Sequence, residues 1–363
     1  MPSENGEVAN GALWSETEAP VPLGSHTQNT ALVEPASNGD RAASYLPRRH
    51  HESEPSADDF AAERMLRTPA RRPDSGWRRA LFHLSAGHVC VAPSAAELRH
   101  RELVARVKTP IRGCRKIAFI SRKGGVGKTS TCLLAGHTFA SHRGDRVIAL
   151  DGNPDAGSLG YRVRRETSKT ITHLLVSRED VSRYADIRAF TSQSPTRLEV
   201  IAADDDPRIT DSLREDDYQR AVDLLEVHYN LICMDTGTGV LESASKGILQ
   251  LADQLVLVTS PSLDSGRAAS ATLDWLENNG HADLVAGSVA VINGIRTKSM
   301  VDLDKVERHF QARCRAVVRV PWDEVLQAGA ESTLLDLHPA TRRAYLELAA
   351  SVAGGFAESR ART

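Results

Sequence analysis

The 363-residue sequence predicts an α/β fold: a doubly wound, mostly parallel sheet with helices on both faces. Three observations predict it. Short β-branched runs recur along the chain and end in Gly or Asp, helical stretches lie between them, and the runs are near-continuously apolar, as strands covered on both faces are. Ligands in such sheets bind beyond the carboxyl ends of the strands. Composition excludes several classes. With 41% apolar and 25% charged residues the chain reads as soluble, and a net charge of −2 gives no global pull toward nucleic acid or anionic lipid. Cys90, Cys114, Cys132, Cys233 and Cys314 form no CxxC pair and no secretory leader precedes them, so reduced cytosolic thiols are expected rather than disulfides or a cysteine metal site. No apolar run approaches the ~20 residues of a spanning helix, so membrane contact is expected to be peripheral at most.

Taken in order, residues 1–75 hold eight of the sixteen prolines, and acidic residues outnumber basic ones there by twelve to seven. Such a segment buries too little apolar surface to offset its chain entropy and is expected to be a disordered tail. Residues 76–113 read as a helical prelude. In GWRRALFHLS, Trp77, Ala80, Leu81 and Leu84 share a helical stripe, with Arg78 and Arg79 off it, and packing on the chain's own domain is favoured over a membrane surface. A second helix is predicted from Ser94 to Lys108, with Ser94 as N-cap, Glu97 at capping-box spacing and Pro110 as its stop. Residues 114–356 form the main domain and 357–363 a flexible tail. Strands are predicted at 115–121, 146–151, 198–202, 229–235, 254–260, 288–293 and 316–321. Helices are predicted over TSTCLLAGHTFASHR, DYQRAVDLLEVHY, SGRAASATLDWLENN, LDKVERHFQAR and, as the last core helix, PATRRAYLELAASVAGGF.

SRKGGVGKTS, 121–130, follows the first strand and opens a helix. Gly124, Gly125 and Gly127, with Val126 among them, let backbone N–H groups turn inward around phosphate oxygens, and the helix N-terminus adds its dipole. Lys128 is placed to reach the β- and γ-phosphates, Thr129 to give its hydroxyl to Mg²⁺, and Ser130 to complete the loop.

The lysine ahead of the paired glycines, Lys123 in KGGVGKTS, resembles the deviant phosphate loop of the MinD/ParA ATPases. That resemblance covers roughly 113–355 and implies a P-loop NTPase fold, ATP and Mg²⁺ as ligands, and an ATP-dependent homodimer in which Lys123 contacts the partner's phosphates. It implies that Asp235 holds Mg²⁺ through water and that DTGTG, 235–239, is the second switch loop. It further implies that Asn293 in VINGIR reads the adenine edge and that the loop around Pro321 in VPWDEVL closes over the base, with Trp322 read as core. No NKxD element is found, which favours ATP over GTP. In the family the second strand ends in D-x-D. Aligned on Asp151 in LDGNPDAGSLG, a residue near Mg²⁺, the second acid falls on Asn153, so the general base is missing and slow hydrolysis is expected. Asp155 either substitutes for it or is a turn acid after Pro154.

The Pro-rich tail, the GWRR helix, the lead-in ELRHRELVARVKTPIRGCRKIA and DGNPDAGSLG together are similar to the MinD-like ATPases associated with mycobacterial type VII secretion loci, the EspI-like group. This implies a cytoplasmic, nucleotide-dependent switch acting on a protein partner in a secretion machine or a positioning process, at most peripheral to the inner membrane. Two alternatives stand beside it: an ATP-sensing module with little turnover, and a DNA-partitioning ATPase using Arg162, Arg164, Arg165, Arg342 and Arg343, which solvated arginines explain as well.

Overall fold

In the computed structural model, β1 (Arg115–Ile120), β2 (Val147–Gly152), β3 (Ser192–Gln193), β4 (Glu199–Ile201), β5 (Leu231–Thr236), β6 (Gln254–Thr259), β7 (Val289–Ile295) and β8 (Ala316–Pro321) form one sheet. Its order is β3-β4-β2-β5-β1-β6-β7-β8, parallel throughout except where β3 pairs antiparallel with β4. The structure describes residues 84–85, 92–153, 157–210, 213–237 and 243–357, all within the unit Pro69–Thr363. The tail expected over 1–75, the Trp77 stripe apart from Leu84, Asp155 and the last two residues of DTGTG lie outside the described residues.

All seven predicted strands are present; β2, β5 and β6 are buried from end to end, whereas the edge strand β8 is partly exposed at four of its six positions. The edge strand β3 was not anticipated; two residues, Ser and Gln, carry neither apolar periodicity nor β-branching. The longer helices are α1 (Ala95–Val107), α2 (Lys128–His142), α3 (Glu215–Glu226), α4 (Ser243–Leu251), α5 (Leu263–Asn278), α6 (Leu303–Gln311) and α7 (Pro339–Ala353). One face of the sheet packs Leu133, Phe139, Tyr345 and Leu348 of α2 and α7. The other packs Tyr218, Ile248, Leu273 and Phe310 of α3, α4, α5 and α6. Burying one such side chain contributes about 1.5–3 kcal/mol, and two separate apolar layers explain why the strands carry no polar face.

The prelude helix α1 belongs to the first of these layers. Ser94 Oγ accepts the Glu97 N–H at 3.2 Å, as its spacing predicts. Leu103 and Val107 are buried against the α2–α7 layer, and Arg106 donates to the Ala350 carbonyl of α7. Arg143, just past α2, donates to the carbonyls of Val107 and Thr109, so the exposed acceptors at the end of α1 find a charged donor. Helix α7 buries Ala344, Tyr345, Leu346, Leu348, Ala349 and Val352, as expected of a last core helix. Cys114, Cys132, Cys233 and Cys314 are free, and among the described residues no helix is long and apolar enough to cross a membrane.

What this topology positions is the carboxyl end of β1, which lies between β5 and β6 at the point where the strand order reverses. Asp151 at the end of β2 is in register with Asp235 on β5, and Asp235 with Phe119 on β1.

Candidate functional site

The loop between β1 and α2 is held in its turn by the Ser121 side chain. Ser121 Oγ donates to the Lys123 carbonyl at 3.0 Å and accepts the Lys123 N–H at 3.2 Å. Gly125 (φ +77°) and Gly127 (φ +86°) occupy the left-handed region, where a side chain costs about 1–2 kcal/mol. Gly127 is also the N-cap of α2, and a Cβ there would fall 2.1 Å from Asn293 Nδ2. That contact comes from β7: Asn293 Nδ2 donates to the Val126 carbonyl at 2.8 Å, tying a late strand end to the loop. A cavity of about 300 Å³ opens between them, lined by Gly125, Gly127, Ser130, Asn293, Pro321 and Trp322. The structure thus brings Asn293 and Pro321 to the loop, where the resemblance puts a base.

Trp322 is not the core residue it was read as. It is 39% exposed, its backbone N–H bonds to the Ile295 carbonyl at 2.8 Å, and the Arg296 guanidinium lies 4.9 Å from its ring centroid. A large aromatic next to a strand end is not thereby core; here it forms the wall of an open cavity and carries a cation on its face.

Beneath the loop lies a buried charge cluster. Lys128, the first residue of α2, is 7% exposed, and its Nζ donates to Asp235 Oδ1 at 2.7 Å and to the Thr236 carbonyl. Asp235 is fully buried, and its Oδ2 has no hydrogen-bond partner among the described residues. Asp151, also fully buried, accepts the Leu159 N–H on Oδ2 at 2.9 Å and the Asn153 N–H on Oδ1 at 3.3 Å. Gly157 backs it so closely that a Cβ would come within 2.1 Å of Oδ2. Burial, then the neighbouring Asp235 charge, hold the Asp151 carboxyl well above the usual carboxylate range, at about 7, against the pull of the two amides and Lys128. Once Asp151 loses its proton, two buried carboxylates on adjacent strands share one ammonium, the one bonded to Asp235, and the surplus of negative charge is one that a cation would relieve.

The donor set suits Mg²⁺. The unpartnered Asp235 Oδ2, the Asp151 carboxyl and the Thr129 hydroxyl, which Ser158 Oγ approaches at 3.4 Å, are hard oxygen ligands. Among the described residues no group of three or more His, Cys, Asp or Glu side chains is placed to hold a metal unaided. Lys123 stands apart from the cluster at the surface, its Nζ 3.8 Å from Asp264. Asn153 is half-buried beside Asp151, and Asp155 lies outside the described residues. Sequence reasoning missed the Lys128–Asp235 pair and the Asn293–Val126 bond, whose partners lie 107 and 167 residues apart.

Comparison with known proteins adds four likenesses. The AAA domain family matches residues 114–276. The ESX-1 secretion-associated protein EspI of Mycobacterium tuberculosis is 37% identical over 77% of this chain and 42% of its own length, so the chain spans less than half of that relative. Among solved structures, a ParA family ATPase from Chlorobium tepidum TLS superposes with a TM-score of 0.56 at 18% identity, covering 65% of this chain and 98% of that one. The septum site-determining protein MinD from Pyrococcus horikoshii OT3, complexed with Mg-ADP, gives a TM-score of 0.52 at 17% identity over 65% and 94%. The two structural likenesses speak to the fold.

Proposed function

Because the chain belongs to the MinD/ParA-like P-loop family and is EspI-like in sequence, we propose that it binds ATP with Mg²⁺ and hydrolyses it slowly, acting as a nucleotide-dependent dimeric switch. The observation that carries this reading is the cluster itself. A phosphate-loop lysine and two in-register strand-end acids, one with an unpartnered oxygen, meet under a glycine loop.

In this reading the backbone N–H groups of Gly124 to Ser130 turn toward the phosphates, and Lys128 exchanges Asp235 for the β- and γ-phosphate oxygens. Asp151, Asp235 and the Thr129 hydroxyl would hold Mg²⁺, which supplies neutralisation of the charge that develops on the phosphates. Asn293 and Pro321 flank the base. The attacking water is oriented by the Asn153 amide, which accepts a hydrogen bond but takes no proton, and Asp155 is a second candidate for that role. Phosphoryl transfer relies on positioning and charge stabilisation, so the missing base slows turnover without abolishing it.

Lys123, exposed and with its ammonium paired among the described residues only with Asp264, is the residue that reaches a second copy of the chain. The output is a regulated contact with a protein partner; the EspI likeness favours one in a type VII secretion machine. Sedimentation velocity with and without ATP tests this. The wild type should dimerise only with ATP and Lys123→Ala should stay monomeric; a monomer in every condition would overturn the switch.

A further inference from the structure

Away from the loop, a cavity of about 710 Å³ opens between α2, the segment after β2, the turn joining β3 to β4 and residues 331–333. His137 of α2 lines it at 1% exposure. Its Nδ1 is 2.6 Å from Thr196 Oγ1, while its Nε2 is buried with no hydrogen-bond partner among the described residues. Arg162 lines the same cavity, and its Nε and Nη1 are buried and unpartnered in the same sense. Three such atoms on two residues that line one cavity are costly to the fold, since a buried polar group left unsatisfied carries its full desolvation penalty. His137 and Arg162 stand on segments that only the fold brings together, and Arg162, three residues past Leu159, is near enough to Asp235 to feel its charge.

Three of the other charged groups around the cavity have partners. Arg165 bonds to Asp205 and Arg197 to the carbonyls of Ala140 and Arg143. Glu166 accepts the Gln193 N–H and pairs with Arg188. Glu331 is exposed at the rim, where solvent screens it. Arg164, exposed on the same side as Arg162, completes the cationic wall. A guanidinium fork matches phosphate oxygens two at a time, and a phosphate offers enough acceptors for both arginines and for an imidazole N–H.

We propose that this cavity is a second ligand site, for a small phosphate-bearing molecule, and that it acts on Asp151 through Arg162. Arg162 closes the helical turn Gly160–Arg162, and Leu159, immediately before that turn, donates to Asp151 Oδ2 at 2.9 Å. A ligand that fixes Arg162 therefore fixes the amide on which Asp151 depends. By linkage the two sites must then alter each other's affinity by one common factor. A nucleic-acid duplex is the wrong shape for the site, because its line of phosphates cannot reach an imidazole that is 1% exposed at the bottom of a cavity.

The test titrates inorganic phosphate, pyrophosphate and AMP into the full chain carrying Lys128→Ala, so that its outcome is separate from that of the phosphate loop. At least one of the three should bind in this background, with its affinity reduced tenfold or more by Arg164→Gln or Arg162→Gln and unchanged by Arg343→Gln. Arg164 is exposed, so its substitution carries the test even if the Arg162 variant melts early. Whether phosphate alone or only AMP binds identifies the source of the anion. The site is overturned if Lys128→Ala abolishes all binding, if the arginine variants bind as well as their parent, or if the same arginines retain only duplex DNA in a salt-sensitive way.

Discussion

In the proposed mechanism the rate turns on Asn153. Its backbone N–H is committed to Asp151 Oδ1, and its amide side chain has no proton affinity to offer. Replacing it with Asp should raise the single-turnover rate of ATP hydrolysis by roughly tenfold. That is below the ~10²–10⁴ of a full general base, because the transition state is loose. Unchanged or lower turnover in Asn153→Asp would remove this residue from the account. The glycines, Lys128 and Thr129 were legible in the sequence because they are neighbours in one short loop with one chemistry. The pairing of Lys128 with Asp235, the Asn293 amide on Val126 and the cavity at His137 and Arg162 were not, since each joins segments that lie apart in the chain.

At the level of elements, legibility followed burial. Strands buried on both faces announce themselves as apolar runs, and all seven predicted strands are present; β3, a two-residue edge strand of polar side chains, leaves no such trace. Helix α1 could be read from its cap and stop, but its partners could not, because its apolar positions are few: only Leu103 and Val107 are buried. Those two side chains, with Arg106 on the Ala350 carbonyl and Arg143 on the carbonyls of Val107 and Thr109, make the prelude an integral part of the α2–α7 layer. Leu103→Ala should therefore lower the unfolding free energy by about 2–3 kcal/mol, at the lower end for a buried leucine because Leu103 lies at the margin of the core. Urea denaturation measures it, and a loss below about 0.5 kcal/mol, typical of a surface position, would make α1 a loosely attached appendage.

For the whole molecule, the buried acids couple stability to pH in an unusual direction. Asp151 keeps its proton up to about 7 in the folded chain, whereas an unfolded aspartate releases it near ~3.9. Between those values the native state binds the extra proton, so the contribution of Asp151 is fully present at acid pH and is lost as pH rises through 7. Burial lowers the His137 imidazole to about 4 and shifts His142 in the same direction. Those groups give the opposite slope, stability rising with pH until the unfolded histidines have lost their protons near ~6.5. The two trends offset each other on the acid side, leaving the fall from Asp151 as the dominant slope of the two above it. In the presence of a chelator, the stability of the wild type relative to Asp151→Asn should therefore drop by about 1 kcal/mol between pH 6.5 and 8. Millimolar Mg²⁺ should reverse the drop, because a divalent ion stabilises the ionised carboxylate. Parallel stability curves for the two proteins, with and without Mg²⁺, would mean that Asp151 is already ionised and that the surplus charge beneath the phosphate loop is balanced within the chain.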